Sequence, residues 1–82
     1  MYSILFSDLA KKQLLKLPKE VQKRVISALD RIKIRPEAYV TKLIGDPGFR
    51  LRVGDYRVIM DIQKDKLLIL VLKAGHRKNI YD

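Results

Sequence analysis

The sequence predicts an α+β domain: two N-terminal helices, forming a helical hairpin, packed on one face of a small, mostly antiparallel four-stranded sheet. Three observations carry this expectation. Alternating runs at 49–53 and 56–62 flank Gly54-Asp55, the pattern of a β-hairpin with a two-residue turn. A continuous apolar run at 67–72 follows a short polar stretch and has the length of a strand. Upstream, apolar residues recur at helical spacing on both sides of Pro18. Helices followed by a strand meander place the helices on one face of the sheet.

The elements follow in order. Residues 2–6 read as a first strand. Ser7 or Asp8 can cap the next helix, because a side-chain oxygen there accepts from an unpaired N–H. Ala10, Leu14 and Leu17 lie on one face of that helix, with Leu9 beside them and Lys11, Lys12 and Lys16 outside. Pro18 disfavours helical geometry at Leu17 and suits the first turn of a new helix. The second helix is expected over about 18–34, with Val21, Val25, Leu29 and Ile32 as its apolar stripe and Ala28 adjacent. Lys19, Lys23, Arg24, Arg31 and Lys33 lie mostly on its polar faces. Each taken singly reads as a solvated exterior, while their summed charge aids association with an anion.

Arg35-Pro36 marks the helix exit, and residues 37–48 form a connection. Residues 41–45 are an extended piece leading into the hairpin, and Asp46-Pro47-Gly48 is a turn signal. Residues 63–66 make the next turn. The run at 67–72 lacks alternation, so it is expected to be central and buried on both faces.

With Gly54-Asp55 as the turn, Val53 faces Tyr56, Arg52 faces Arg57, Leu51 faces Val58 and Arg50 faces Ile59. Side chains alternate across a strand, so the hairpin has two unlike faces. Phe49, Leu51, Val53, Tyr56, Val58, Met60 and Ile62 form a core face. Arg50, Arg52, Arg57, Ile59 and Asp61 form the other. Like charges directly opposite in a sheet cost roughly 0.2–1 kcal/mol. An anion would relieve that repulsion, and guanidinium forks match phosphate geometry. The patch therefore reads either as a phosphate site or as a solvated face partly balanced by Asp61.

Composition narrows the chemistry. The chain has 82 residues and no cysteine, which suits a single domain, residues 1–82, without a disulfide framework or thiolate chemistry. Apolar residues are 48% of it, enough for a small core. The net charge of +9, from 18 Lys and Arg against 9 Asp and Glu, points to an anionic partner. The apolar start at 1–6 is short and has no basic lead, unlike a signal peptide. The apolar run at 67–72 is far below membrane-spanning length, so a soluble, cytoplasmic protein with no membrane partner is expected.

There is one histidine and no cluster of metal ligands at binding spacing, and no P-loop glycine pattern. No metal or cofactor is expected. Ser3, Ser7 and Ser27 sit in no nucleophile-type turn. What remains is phosphate chemistry without metal. In RNA a 2′-hydroxyl can attack the adjacent phosphorus. That step needs a proton acceptor, cations for the transition-state charge and a donor for the leaving oxygen. Arginine supplies the charge but is a poor base, since it stays protonated. His76 has the intrinsic range for acid–base work. Tyr81 offers a ring for stacking and a hydroxyl for proton exchange. Both also have simpler readings, a turn histidine and an apolar anchor for the C-terminal segment.

The order of elements and three motifs resemble the RelE/ParE superfamily of toxins from toxin–antitoxin systems. The motifs are residues 42–45 (KLIG), 49–58 (FRLRVGDYRV) and 75–81 (GHRKNIY), with 52–57 (RVGDYR) the most specific. The resemblance spans nearly the whole chain, although the N-terminal helices match in pattern only. In the RelE branch it implies a metal-independent endoribonuclease that cleaves mRNA in the ribosomal A site by 2′-hydroxyl attack, inhibiting translation. It also implies a cognate antitoxin that wraps the toxin, of RelB type and expected to be acidic given the toxin's charge.

Carried over residue by residue, the family's basic pair on the hairpin's first strand falls on Arg50 and Arg52, and its arginine on the second on Arg57. Its loop arginine falls on Arg77 and its C-terminal tyrosine on Tyr81. Arg57 and Arg77 are thereby expected on the scissile phosphate, with Arg50, Arg52 and Lys78 binding the RNA backbone. Arg50 and Arg52 would also help polarise the attacking hydroxyl, and His76 would be a secondary acid–base group. The best-known ribonuclease members carry lysines where Arg50 and Arg52 stand, a change that keeps charge and weakens proton transfer. Many members continue beyond the tyrosine, so Tyr81 is expected to fray until substrate or antitoxin orders it. Two other classes share these features in part. The ParE branch poisons DNA gyrase through protein–protein contact, and a non-catalytic RNA- or ribosome-binding module needs only the charge.

Overall fold

The computed structural model of the chain describes residues 1–80. Its elements are β1 (Ser3–Phe6), α1 (Asp8–Leu15), α2 (Lys19–Ile32), a 3-10 turn (Pro36–Ala38), β2 (Thr41–Lys42), β3 (Phe49–Val53), β4 (Tyr56–Gln63) and β5 (Leu68–His76). The strands form one mixed sheet in the order β1-β5-β4-β3-β2. Only β1 and β5 run parallel. The α+β class and the helix-on-sheet arrangement are as the sequence predicts. The sheet has five strands rather than four, because Thr41 and Lys42 pair with Arg50 and Phe49. A turn closed by the Leu43 N–H donating to Gly48 C=O (3.0 Å) brings that short strand back onto β3.

Ser7 caps α1: its hydroxyl oxygen accepts from the Ala10 N–H at 3.0 Å. The helix stops at Leu15, short of Pro18. Gln22 donates its side-chain amide to the carbonyls of Leu17 (2.8 Å) and Leu15 (3.3 Å), serving acceptors that the end of α1 leaves open. The stripe of α2 is as expected, with Val21, Val25, Leu29 and Ile32 buried. These meet Ala10 from α1 and Leu51, Val53, Val58, Met60, Ile69, Val71 and Ala74 from the sheet in one core.

The hairpin register is the one read from the sequence: Val53 opposite Tyr56, Arg52 opposite Arg57, Leu51 opposite Val58 and Arg50 opposite Ile59. Gly54 has φ +60° and opens the turn, as a type II′ turn requires.

Strand β5 departs from expectation in three ways. Leu67 belongs to the preceding turn with φ +49°, not to the strand. The strand lies inside the sheet as expected, but it is buried on one face only. Ile69 and Val71 point to the helices, whereas Leu68, Leu70 and Leu72 are half-buried on the other side. It also continues to His76 through a bulge. Met60 pairs with Val71 but Ile59 pairs with Lys73, so Leu72 is an extra residue. The Ser7 hydroxyl donates to the Leu72 carbonyl (3.0 Å), and Gln13 Oε1 accepts from the Ala74 N–H (2.9 Å). Helix α1 and the residue before it thus satisfy the backbone groups around the bulge. No described helix is long and apolar enough to cross a membrane.

Candidate functional site

The face of the sheet away from the helices carries the arginines. Arg52 and Arg57 are register partners on neighbouring strands, and Arg50 lies diagonally from Arg57. Cβ atoms of directly opposed residues stand about 4.5–5.5 Å apart, so this geometry concentrates positive charge. Arg52 is exposed, while Arg50 and Arg57 are half-buried. Asp61 lies on the same face two rows further along, where its Oδ2 accepts from Gln63 Nε2 at 3.0 Å.

Opposite Arg57 on β5 stands Gly75. A Cβ at Gly75 would come within 2.9 Å of Ile80 Cγ1. The glycine thus lets the segment after β5 fold back across this face. Ile80 there forms a small second core with Leu43 and Ile59. The return is fixed by the Arg77 N–H donating to Asp55 C=O (2.9 Å), and by Asn79 and Ile80 donating to His76 C=O (2.8 and 3.2 Å). Arg77 is thereby held beside the hairpin turn, at the end of the sheet that carries Arg52 and Arg57. Lys78 and Arg77 are both exposed. Tyr81, expected to complete the site, lies outside the described residues, one position beyond the anchored Ile80.

His76 is not brought onto the arginine face. The bulge at Leu72 shifts the alternation of β5, which sends Lys73 and Gly75 outward and Ala74 and His76 toward the helices. His76 is opposite Tyr56, with ring centroids 5.3 Å apart and planes at 81°. Its Nδ1 accepts from the Lys78 N–H at 3.2 Å. The imidazole is placed to shape the turn that carries Arg77 and Lys78.

Two further features surround the site. A cleft of about 470 Å³ lies further along the same face, with Leu43, Ile59 and Leu72 as apolar walls and Asp46, Asp61 and Lys73 as polar ones. At the free edge of β3, a groove of about 310 Å³ is lined by Arg24, Ser27, Ala28 and Arg31 of α2 and by Arg52, Val53 and Gly54. Taken singly in the sequence, Arg24 and Arg31 read as a solvated helix exterior. Their seven-residue spacing, two helical turns, was the available sign that they share a face. Among the described residues, no group of three or more His, Asp and Glu side chains is arranged to hold a metal ion.

The sequence model of the family described as the ParE toxin of type II toxin–antitoxin system, parDE, matches residues 4–81. No curated protein matches by sequence. Among solved structures, the chain is similar to one in the RelBE2 toxin–antitoxin complex of Mycobacterium tuberculosis, with TM-score 0.85, 25% identity and coverage of 93% of this chain and 98% of that one. It is similar to one in the intact Escherichia coli RelBE complex, with TM-score 0.78, 27% identity and coverage of 93% and 96%. It is also similar to one in the archaeal RelE–RelB complex of Pyrococcus horikoshii, with TM-score 0.79, 30% identity and coverage of 96% and 98%. The chain belongs to the RelE/ParE superfamily, the toxins of type II toxin–antitoxin systems.

Proposed function

We propose that this toxin is a RelE-type endoribonuclease that cleaves mRNA in the ribosomal A site without a metal. The observation that carries the reading is the register that sets Arg52 against Arg57, with Arg77 tied by its backbone to the adjoining turn. In this reading Arg57 and Arg77 hold the scissile phosphate and stabilise the charge that builds on it. Arg50, Arg52 and Lys78 bind the RNA backbone, and Arg52 polarises the 2′-hydroxyl. The 2′-oxygen forms a bond to phosphorus as the bond to the 5′-oxygen breaks, giving a 2′,3′-cyclic phosphate and a 5′-hydroxyl. Tyr81 stacks on a nucleotide and exchanges the proton through its phenol. His76 acts through the backbone turn it supports rather than on the proton. The neighbouring cleft has room for an unstacked base.

The partner proposed is an acidic antitoxin of RelB type, since the similar chains come from toxin–antitoxin complexes. A groove between β1 and α2 fits one helix of such a partner. Ile4, Phe6 and Ile26 supply apolar positions, and Lys19 and Lys23 supply charge, while Lys33 is paired with Asp30 of the same groove at 2.9 Å.

The experiment is primer extension on mRNA carrying stalled ribosomes, with the parent and Arg57→Ala and Arg77→Ala variants. The expected result is A-site cuts by the parent, at least a hundredfold fewer with either variant, and ribosome binding largely kept. The family model that matches is named for ParE, which favours gyrase poisoning as the second reading. Absence of cuts together with inhibition of gyrase supercoiling would establish that reading instead. Loss of ribosome affinity without any cleavage by the parent would mark a binding module.

A further inference from the structure

The groove between α2 and the β3–β4 turn carries three guanidinium groups, from Arg24, Arg31 and Arg52, and the Ser27 hydroxyl. None of its lining residues is acidic among the described residues. Arg24 and Arg31 make no ion pair with a described residue. Arg24 lies close over the turn: a Cβ on Gly54 would stand 2.5 Å from its Nη2. The missing side chain at Gly54 is therefore what lets that guanidinium rest against the hairpin.

We propose that this groove is a second phosphate site, which holds the RNA backbone at a distance from the scissile phosphate. The inference rests on the RNA reading above and extends it to a surface that the reading does not use. Arg52 connects the two places, because it lines the groove and is also the register partner of Arg57. The short β2 pairs only as far as Arg50, so among the described residues no strand covers the edge of β3 beside Arg52. Positive charge thus runs from Arg77 and Arg57 over Arg52 to Arg24 and Arg31, around an open strand edge. A polymer with a phosphate on every nucleotide can follow such a track. An antitoxin helix would need apolar anchors at helical spacing. Among the described residues this groove offers only Ala28 and the buried Val53.

The test uses the full chain, with Arg24→Ala/Arg31→Ala and Arg24→Lys/Arg31→Lys double variants, after circular dichroism has confirmed that they fold. The probe is a short single-stranded RNA with 2′-O-methyl groups, which blocks cleavage, titrated at several salt concentrations. The alanine pair is expected to bind about tenfold or more weakly. Its slope of log affinity against log salt should be shallower by about 1.4, that is, two contacts at roughly 0.7 each. The lysine pair should recover the slope but not the full affinity, since it restores charge without the planar fork. Cleavage on ribosomes should show a raised KM with an unchanged kcat. Unchanged RNA affinity in the alanine pair would overturn the proposal, as would a loss confined to antitoxin binding or a parent that does not bind the RNA. A parent that binds RNA but never cleaves would refute the nuclease reading, while the binding arm would still decide the groove.

Discussion

Replacing Ile80 with alanine tests whether the segment after β5 is docked on the arginine face. Ile80 is 5% exposed and packs with Leu43 and Ile59 above Gly75. Ile80→Ala removes three carbons, and burial is worth roughly 0.8 kcal/mol per methylene, so the loss is about 2.4 kcal/mol before any cavity term. Ile80→Val should cost roughly 1 kcal/mol. Urea unfolding measures both, at constant dependence on denaturant. In native-state hydrogen exchange, the amides of Arg77, Asn79 and Ile80 should exchange about fiftyfold faster, since 1.4 kcal/mol is tenfold. Leu43→Ala and Ile80→Ala should also be non-additive, because the two side chains share one cluster. A loss below about 0.5 kcal/mol, together with additivity, would refute the docking. Arg77 would then have no fixed place beside Arg57.

Other expectations follow from contacts elsewhere. Gln13→Ala removes the acceptor for the Ala74 N–H at the bulge and should cost about 1–3 kcal/mol in urea unfolding; no change would mean water replaces it without penalty. Leu67 holds φ +49°, a region that asparagine tolerates better, so Leu67→Asn should raise stability by up to about 1 kcal/mol, and a loss would contradict the strain. Glu37 has its carboxyl held below the usual glutamate range, first by a backbone hydrogen bond and further by Lys64 and Arg35. Its lowered folded pKa means that its contribution to stability is present above the unfolded pKa and lost as pH falls through the folded one. An NMR titration should give a midpoint below that of free glutamate, and Lys64→Ala should raise it only in part, because the backbone bond remains.

The parts of this fold that local chemistry determines were legible in the sequence. Gly54-Asp55 set the hairpin turn, the turn set the register, and the register brought Arg50, Arg52 and Arg57 together. The stripe from Val21 to Ile32 declared the buried side of α2 in the same way. The rest depended on tertiary contacts. An unbroken run of leucine, isoleucine and valine has no alternation in which an extra residue would show, so the bulge at Leu72 was invisible. His76 entered as an acid–base candidate through its intrinsic range and the resemblance, and the bulge places it one face away from the arginines. Strand β2 is two residues long, too short for a pattern, and meets β3 because Leu43 and Gly48 close the turn that follows it. The spacing of Arg24 and Arg31 was readable, but what stands across from them is decided by how α2 crosses the edge of β3.

The chemistry proposed for the arginine face is attack by a 2′-hydroxyl on the neighbouring phosphate. The most direct measurement replaces that hydroxyl alone. A defined mRNA carries a single 2′-deoxynucleotide on the 5′ side of the A-site cleavage point, in a ribosome complex otherwise matched to the all-ribose message. Cleavage at that bond should disappear with the deoxy message, and the all-ribose product should end in a 2′,3′-cyclic phosphate. Cleavage of the deoxy message at an undiminished rate would contradict it.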